Sequence, residues 1–141
     1  MKKLRVTFVF LPLLMAVAVC AQTQSSDPIA ENLFPPELIM LHQQALGLSD
    51  EQLEFFKTEL REAQKSFMDL QWKLQSEMER LAALVGQRQV DETQTLAQLD
   101  KLLTAEREIK RAQIALLVRL KNRLTPEQQA KLAELRRNAN K

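Results

Sequence analysis

Leu48-Ser49-Asp50-Glu51-Gln52 and Leu124-Thr125-Pro126-Glu127-Gln128 are two copies of one helix-start signal, separated by a long amphipathic stretch. In each copy a hydroxyl side chain, Ser49 or Thr125, is placed to accept from the amide three residues on. The glutamine at that third position, Gln52 or Gln128, reaches back to the cap's own amide. Two capping boxes therefore bracket one architectural unit, and the residues between them decide what that unit is.

Helix breakers fall only at boundaries. The chain has two glycines, Gly47 and Gly86, and no proline between Pro36 and Pro126. This punctuation predicts four helices. The first runs from Pro35 or Pro36 to Leu46, with Leu38, Leu41 and Ala45 as its apolar stripe and Gly47 as a left-handed stop. The second follows Ser49 and continues to about Val85, with Leu48 as a staple onto Leu53 and Gly86 closing the far end. It would be about 54 Å long. Its apolar positions, from Leu53, Phe56, Leu60 and Ala63 through Phe67, Leu70 and Leu74 to Met78, Leu81 and Leu84, recur by threes and fours as in a coiled-coil seam.

The third helix starts after Asp91, which pairs with Gln94 as a cap, and runs to about Arg123. The fourth follows Thr125, with Glu127 near its start and Arg136 and Arg137 near its end, matching the helix dipole. A tight turn over residues 86–91 folds the two long helices antiparallel, which brings Leu53 near Leu124 and both capped motifs to the same open end. The acidic start of the second helix (Asp50, Glu51, Glu54, Glu59, Glu62) then lies beside Arg119, Lys121 and Arg123. The same geometry sets Glu77 near Lys101 and Glu106 near Lys73, and these two glutamates sit on or beside positions where leucine is expected. The predicted fold is all-α, a long helical hairpin flanked by two short helices.

Such a layer covers only one side of each helix, so a second subunit is expected. Ile114-Ala115-Leu116-Leu117-Val118 is apolar all round, and Phe55, Met68 and Trp72 are apolar outside the main seam. These residues mark a homodimer contact or a patch for a client chain. Lys110, Arg111, Arg119, Lys121 and Arg123 carry five positive charges with no acid among residues 110–125, and with Ile114 and Val118 they form a basic, partly apolar strip. Long-range attraction to such a strip would capture polypeptide loosely, and apolar contact would retain it.

Lys2, Lys3 and Arg5 precede an apolar run from Val6 to Val19, and a polar stretch follows from Gln22 to Asn32. That is the layout of an export signal over residues 1–21, with residues 22–33 as a tether and residues 34–138 as the helical domain. Cleavage after Ala21 is favoured over lipidation of Cys20. The chain carries 20 basic and 18 acidic residues. Loss of Lys2, Lys3 and Arg5 leaves 17 against 18, so a surface that seeks nucleic acid is not expected. With one histidine, no tyrosine and one cysteine, the usual nucleophile, base and phosphate-cradle sets cannot be assembled, and no enzymatic activity and no cofactor are expected. His42, with Met40 or Glu51, is the one candidate metal ligand, but a tight transition-metal site takes three or four converging donors.

An exported helical chain with these two motifs at the ends of a hairpin resembles the Spy/CpxP family, known for paired LTxxQ motifs. The likeness covers about residues 36–137. Leu124 to Gln128 matches the motif fully, and Leu48 to Gln52 has Ser49 for threonine, which keeps the capping hydroxyl. The resemblance implies a periplasmic, cradle-shaped antiparallel homodimer. It would act without ATP on unfolded or damaged periplasmic proteins, or adjust envelope-stress signalling with a sensor kinase as partner. Related members are periplasmic heavy-metal sensors and zinc-resistance proteins, whose histidine-rich or His/Met/Glu sets carry over here only at His42.

Overall fold

The computed structural model describes Ile29 and residues 32–139. The expected export signal and most of the tether lie outside the described residues. Among the described residues from Pro36 onward four helices follow in order: α1 (Pro36–Leu41), α2 (Asp50–Val85), α3 (Glu92–Arg123) and α4 (Pro126–Ala139). The architecture is all-α, with no strand among the described residues, and the two long helices pack on each other as a hairpin.

Both capping boxes form. Ser49 Oγ accepts from the Gln52 amide at 3.2 Å while Gln52 Oε1 accepts from the Ser49 amide at 3.1 Å. At α4, Thr125 Oγ1 accepts from the Gln128 amide at 3.3 Å and Gln128 Oε1 from the Thr125 amide at 2.9 Å. Asp91 caps α3 by accepting from the Gln94 amide at 2.9 Å. Each cap satisfies amides that have no partner inside the helix, so the starts of the three longer helices are fixed by local chemistry.

Two expectations are corrected. The first helix ends at Leu41, not Leu46, and residues 42–47 form turns that lead to Gly47 at φ 58°. Gly86 closes α2 as expected, in the right-handed region at φ −77°, and the six-residue connection continues as bends with no reversal of hand. Lys73 crosses the hairpin to Glu108 at 2.7 Å, not to Glu106. At 100° per residue, two positions turn a side chain by about 200°, to the opposite side of the helix, and a register estimate that fixes only height could not choose between them.

The buried core gathers at the open end. Phe34, Ile39, Leu46, Phe56, Leu116, Leu120, Leu124 and Leu132 form one cluster, to which α1, α2, α3 and α4 all contribute. Leu38, Leu48, Leu60, Ala63 and Phe67 pack against it half-buried. Beyond Phe67 the hairpin continues as two helices alone. Its buried residues there are Leu102, Ala105 and one polar side chain, Gln98.

Candidate functional site

The two motif glutamines meet. Gln52 Nε2 donates to Gln128 Oε1 at 2.9 Å and to the Arg123 carbonyl at 2.8 Å. Gln128 Nε2 donates to Gln52 Oε1 at 3.1 Å and to the Leu46 carbonyl at 3.3 Å. With the two cap amides added, each carboxamide uses both N–H groups and both oxygen lone pairs. The Arg123 carbonyl belongs to the last turn of α3, where no helical donor remains, so the lock also terminates that helix. Local pattern reading finds each glutamine as a cap but not the reciprocal pair. The signal for it was the likeness of the two motifs at ends that the hairpin brings together.

Around this lock the charges pair much as the antiparallel register requires. Arg119 Nε reaches Glu59 at 2.6 Å, and an Arg123 amino group bonds Glu51. Lys121 instead donates to the Asn32 carbonyl at 2.8 Å, tying the entering chain to α3. Phe55 is half-buried: it meets Phe56 edge-on at 5.9 Å between ring centroids, and the Arg123 guanidinium lies 5.2 Å over its ring. Arg136 stacks likewise over Phe34, at 5.1 Å.

The two faces of the hairpin differ. One carries the Arg119–Glu59 and Lys73–Glu108 bridges and two clefts, the first a mixed one bordered by Glu62, Ala63, Ser66, Phe67, Ala112 and Ala115, the second a polar one bordered by Lys73, Glu77, Asp100 and Lys101. Within the second cleft Gln98 Nε2 donates to both the carboxylate of Glu77, at 2.7 Å, and its carbonyl, at 3.0 Å. The hydrogen bond from Gln98 is the main reason the Glu77 carboxyl sits below its ordinary pKa; burial opposes this, and Arg80 and Lys101 assist. Gln98 was legible only as a polar residue four positions before Leu102 on the same helical line.

The other face is apolar and open. A groove of about 650 Å³ lies beside α1, floored by Leu60, Ala63, Phe67 and Leu116, walled by Pro36 and Met40, and rimmed by Lys57 and Arg61. A second, shallow groove of about 680 Å³ continues along α2 from Met68 through Trp72 and Leu74 to Met78. Gln64, Met68, Gln71, Gln75 and Met78 recur by threes and fours along the two grooves, whose borders also carry Glu37 and Glu79. Trp72 is 69% exposed and Met68 60%, well beyond what two lone helices need for their own packing.

The remaining sequence candidates take separate places. Leu116 is buried in the core, Ile114 and Leu117 are half-buried, and Val118 is exposed, while Lys110 and Arg111 stand in solvent. His42 and Met40 are half-buried on or beside α1. Among the described residues no three His, Cys, Asp or Glu side chains come together as a metal-holding group. That donor set does not fit a resident transition-metal site.

A family model described as heavy-metal resistance matches residues 6–131, nearly the whole chain. The protein belongs to the heavy-metal resistance family. Comparison with curated proteins and with solved structures finds no match. Family membership and donor set thus point in different directions: the chain is of the heavy-metal resistance kind, yet its described side chains do not assemble a site for the ion. Among the described residues no helix is long and apolar enough to cross a membrane.

Proposed function

We propose that this member of the heavy-metal resistance family is a non-catalytic envelope protein that holds unfolded or damaged polypeptide without ATP. The observation that carries the reading is the open apolar face, with two successive grooves that run from Pro36 and Met40 to Trp72 and Met78 and carry Glu37, Lys57, Arg61 and Glu79 at their edges. Unfolded chains expose mixed apolar and polar surface. A shallow face with methionine, tryptophan and glutamine adapts to many such sequences, because methionine is flexible and glutamine both donates and accepts. The paired LTxxQ-like motifs and the basic, apolar leader at Lys2 to Val19 support a periplasmic setting and the narrower likeness to Spy/CpxP proteins.

Aggregation of a denatured client tests this directly. Near-stoichiometric protein should suppress light scattering at low and at moderate salt, and Trp72→Glu should weaken that suppression while leaving the helical melt intact. No suppression at either salt concentration would remove the reading. Family membership favours a second reading, a metal-binding sensor that uses His42. Calorimetric titration with zinc, nickel, cobalt and copper separates the two. Tight binding lost in His42→Ala would replace the polypeptide-holding role with the sensor.

A further inference from the structure

Among the described residues sulfur lies on one surface. Cys20 is outside them, and the methionines within them are Met40, Met68 and Met78. Met40 borders the groove beside α1, and Met68 and Met78 border the groove along α2. The core is the opposite case: its eight buried side chains are phenylalanine, isoleucine and leucine. Exposure separates the three methionines. Met68 is 60% exposed and Met78 47%, whereas Met40 is half-buried and packs against the core. Ten positions of helix set Met68 and Met78 about 15 Å apart along α2.

The second groove depends on them. Its apolar lining is Met68, Trp72, Leu74 and Met78, so thioethers supply two of the four side chains. Gln71 and Gln75 between them are already polar. We infer that Met68 and Met78 are a pair of reversible oxidation sites through which a hydroperoxide switches this apolar face off. A sulfur lone pair attacks the outer oxygen of the hydroperoxide, and the S–O bond forms as the O–O bond breaks. The proton that the transferred oxygen carried passes to the departing oxygen, which leaves as water or alcohol. Each sulfur gives up two electrons and each hydroperoxide gains two.

The product is a sulfoxide, a polar acceptor on a side chain that was flexible and apolar. Water then solvates both positions, and an apolar segment laid in the groove has to strip it. Because the eight-residue core cluster contains no methionine, the same chemistry leaves the hairpin folded. A thiol-dependent methionine sulfoxide reductase reverses the change, releasing the oxygen as water while two thiols close to a disulfide. That the switch governs polypeptide holding rests on the function proposed above.

Hydrogen peroxide treatment of the purified protein is the test, each variant compared with its own untreated form. Peptide mass mapping should find Met68 and Met78 gaining about 16 Da each before Met40 does. Circular dichroism melts should stay unchanged, while the fluorescence of an apolar dye bound to the face should fall about threefold or more. Suppression of client aggregation should fall with it, and the two epimer-specific methionine sulfoxide reductases with a thiol should restore both. In Met68→Leu/Met78→Leu, which keeps an apolar lining without sulfur, peroxide should change neither readout. Oxidation of Met40 first, an unchanged dye signal once Met68 and Met78 are oxidised, or an equal loss in the double leucine variant would each overturn the proposal. If the untreated protein suppresses no aggregation, the holding role fails and the dye alone decides the switch.

Discussion

The open end and the tip of the hairpin are built from the same two helices, yet they are held by different forces. At the open end four helices enclose eight buried apolar side chains, and the Gln52–Gln128 pair ties the start of α2 to the start of α4. At the tip α2 and α3 have only each other, with the Gln98–Glu77 hydrogen bond between them and Met78, Val85, Val90 and Leu96 exposed. Burial and full polar satisfaction concentrate stability at one end. The other is left with fewer buried contacts and with apolar side chains open to solvent.

The sharpest way to break this contrast is Phe56→Ala, which empties the centre of the open-end cluster. It should cost about 3 to 5 kcal/mol by urea melts, more than any single truncation beyond Phe67. Hydrogen exchange should agree, with the slowest amides around Phe56 and Leu120 and the fastest helical ones near Val85 and Leu96. Equal protection at both ends would refute the division.

The lock comes next. Gln52→Glu keeps the capping oxygen but removes both donors, so it isolates the cross-helix pair from the cap and should cost about 1 to 3 kcal/mol. A cycle with Gln128→Glu should show coupling of roughly 1 kcal/mol; strict additivity would mean that the two glutamines act as independent caps. The two glycines provide a smaller comparison. Gly47, at φ 58°, should lose about 1 kcal/mol on replacement by alanine. Gly86, at φ −77°, should change by no more than about half that, its added Cβ lying 3.2 Å from the Ala82 carbonyl.

The last prediction concerns acid. The Glu77 carboxyl is held below its ordinary value, chiefly by Gln98. Its contribution is therefore present above the unfolded pKa and is lost as pH falls through the folded one. Gln98→Leu should raise the Glu77 pKa, read by carboxyl NMR titration, and flatten the acid limb of stability. An unmoved Glu77 would show that Arg80 and Lys101, not Gln98, set its charge.

Much of this was legible beforehand. Ser49, Asp91 and Thr125 announce helix starts because capping is decided within four residues, and the apolar spacing from Phe56 to Leu84 announces the seam because a helix repeats every 3.6. The candidate surface was half legible. Met68 and Trp72 were identified as apolar positions off the seam, and both are exposed. Phe55 belonged to the same set, but it is spent on Arg123 and Phe56, a contact that depends on a residue 68 positions away.

Sequence alone thus determined the all-α hairpin, its caps and the meeting of its two motif ends, since those follow from short-range chemistry and a single turn. Tertiary structure alone decided that Gln52 and Gln128 clasp each other, that Lys73 chooses Glu108 over Glu106, and that Gln98 rather than a lysine holds Glu77. Each of those choices depends on rotation about the helix axis as much as on height along it, and a step of one residue turns a side chain by 100°. Pattern can set the height, but only packing of the two helices against each other sets the angle.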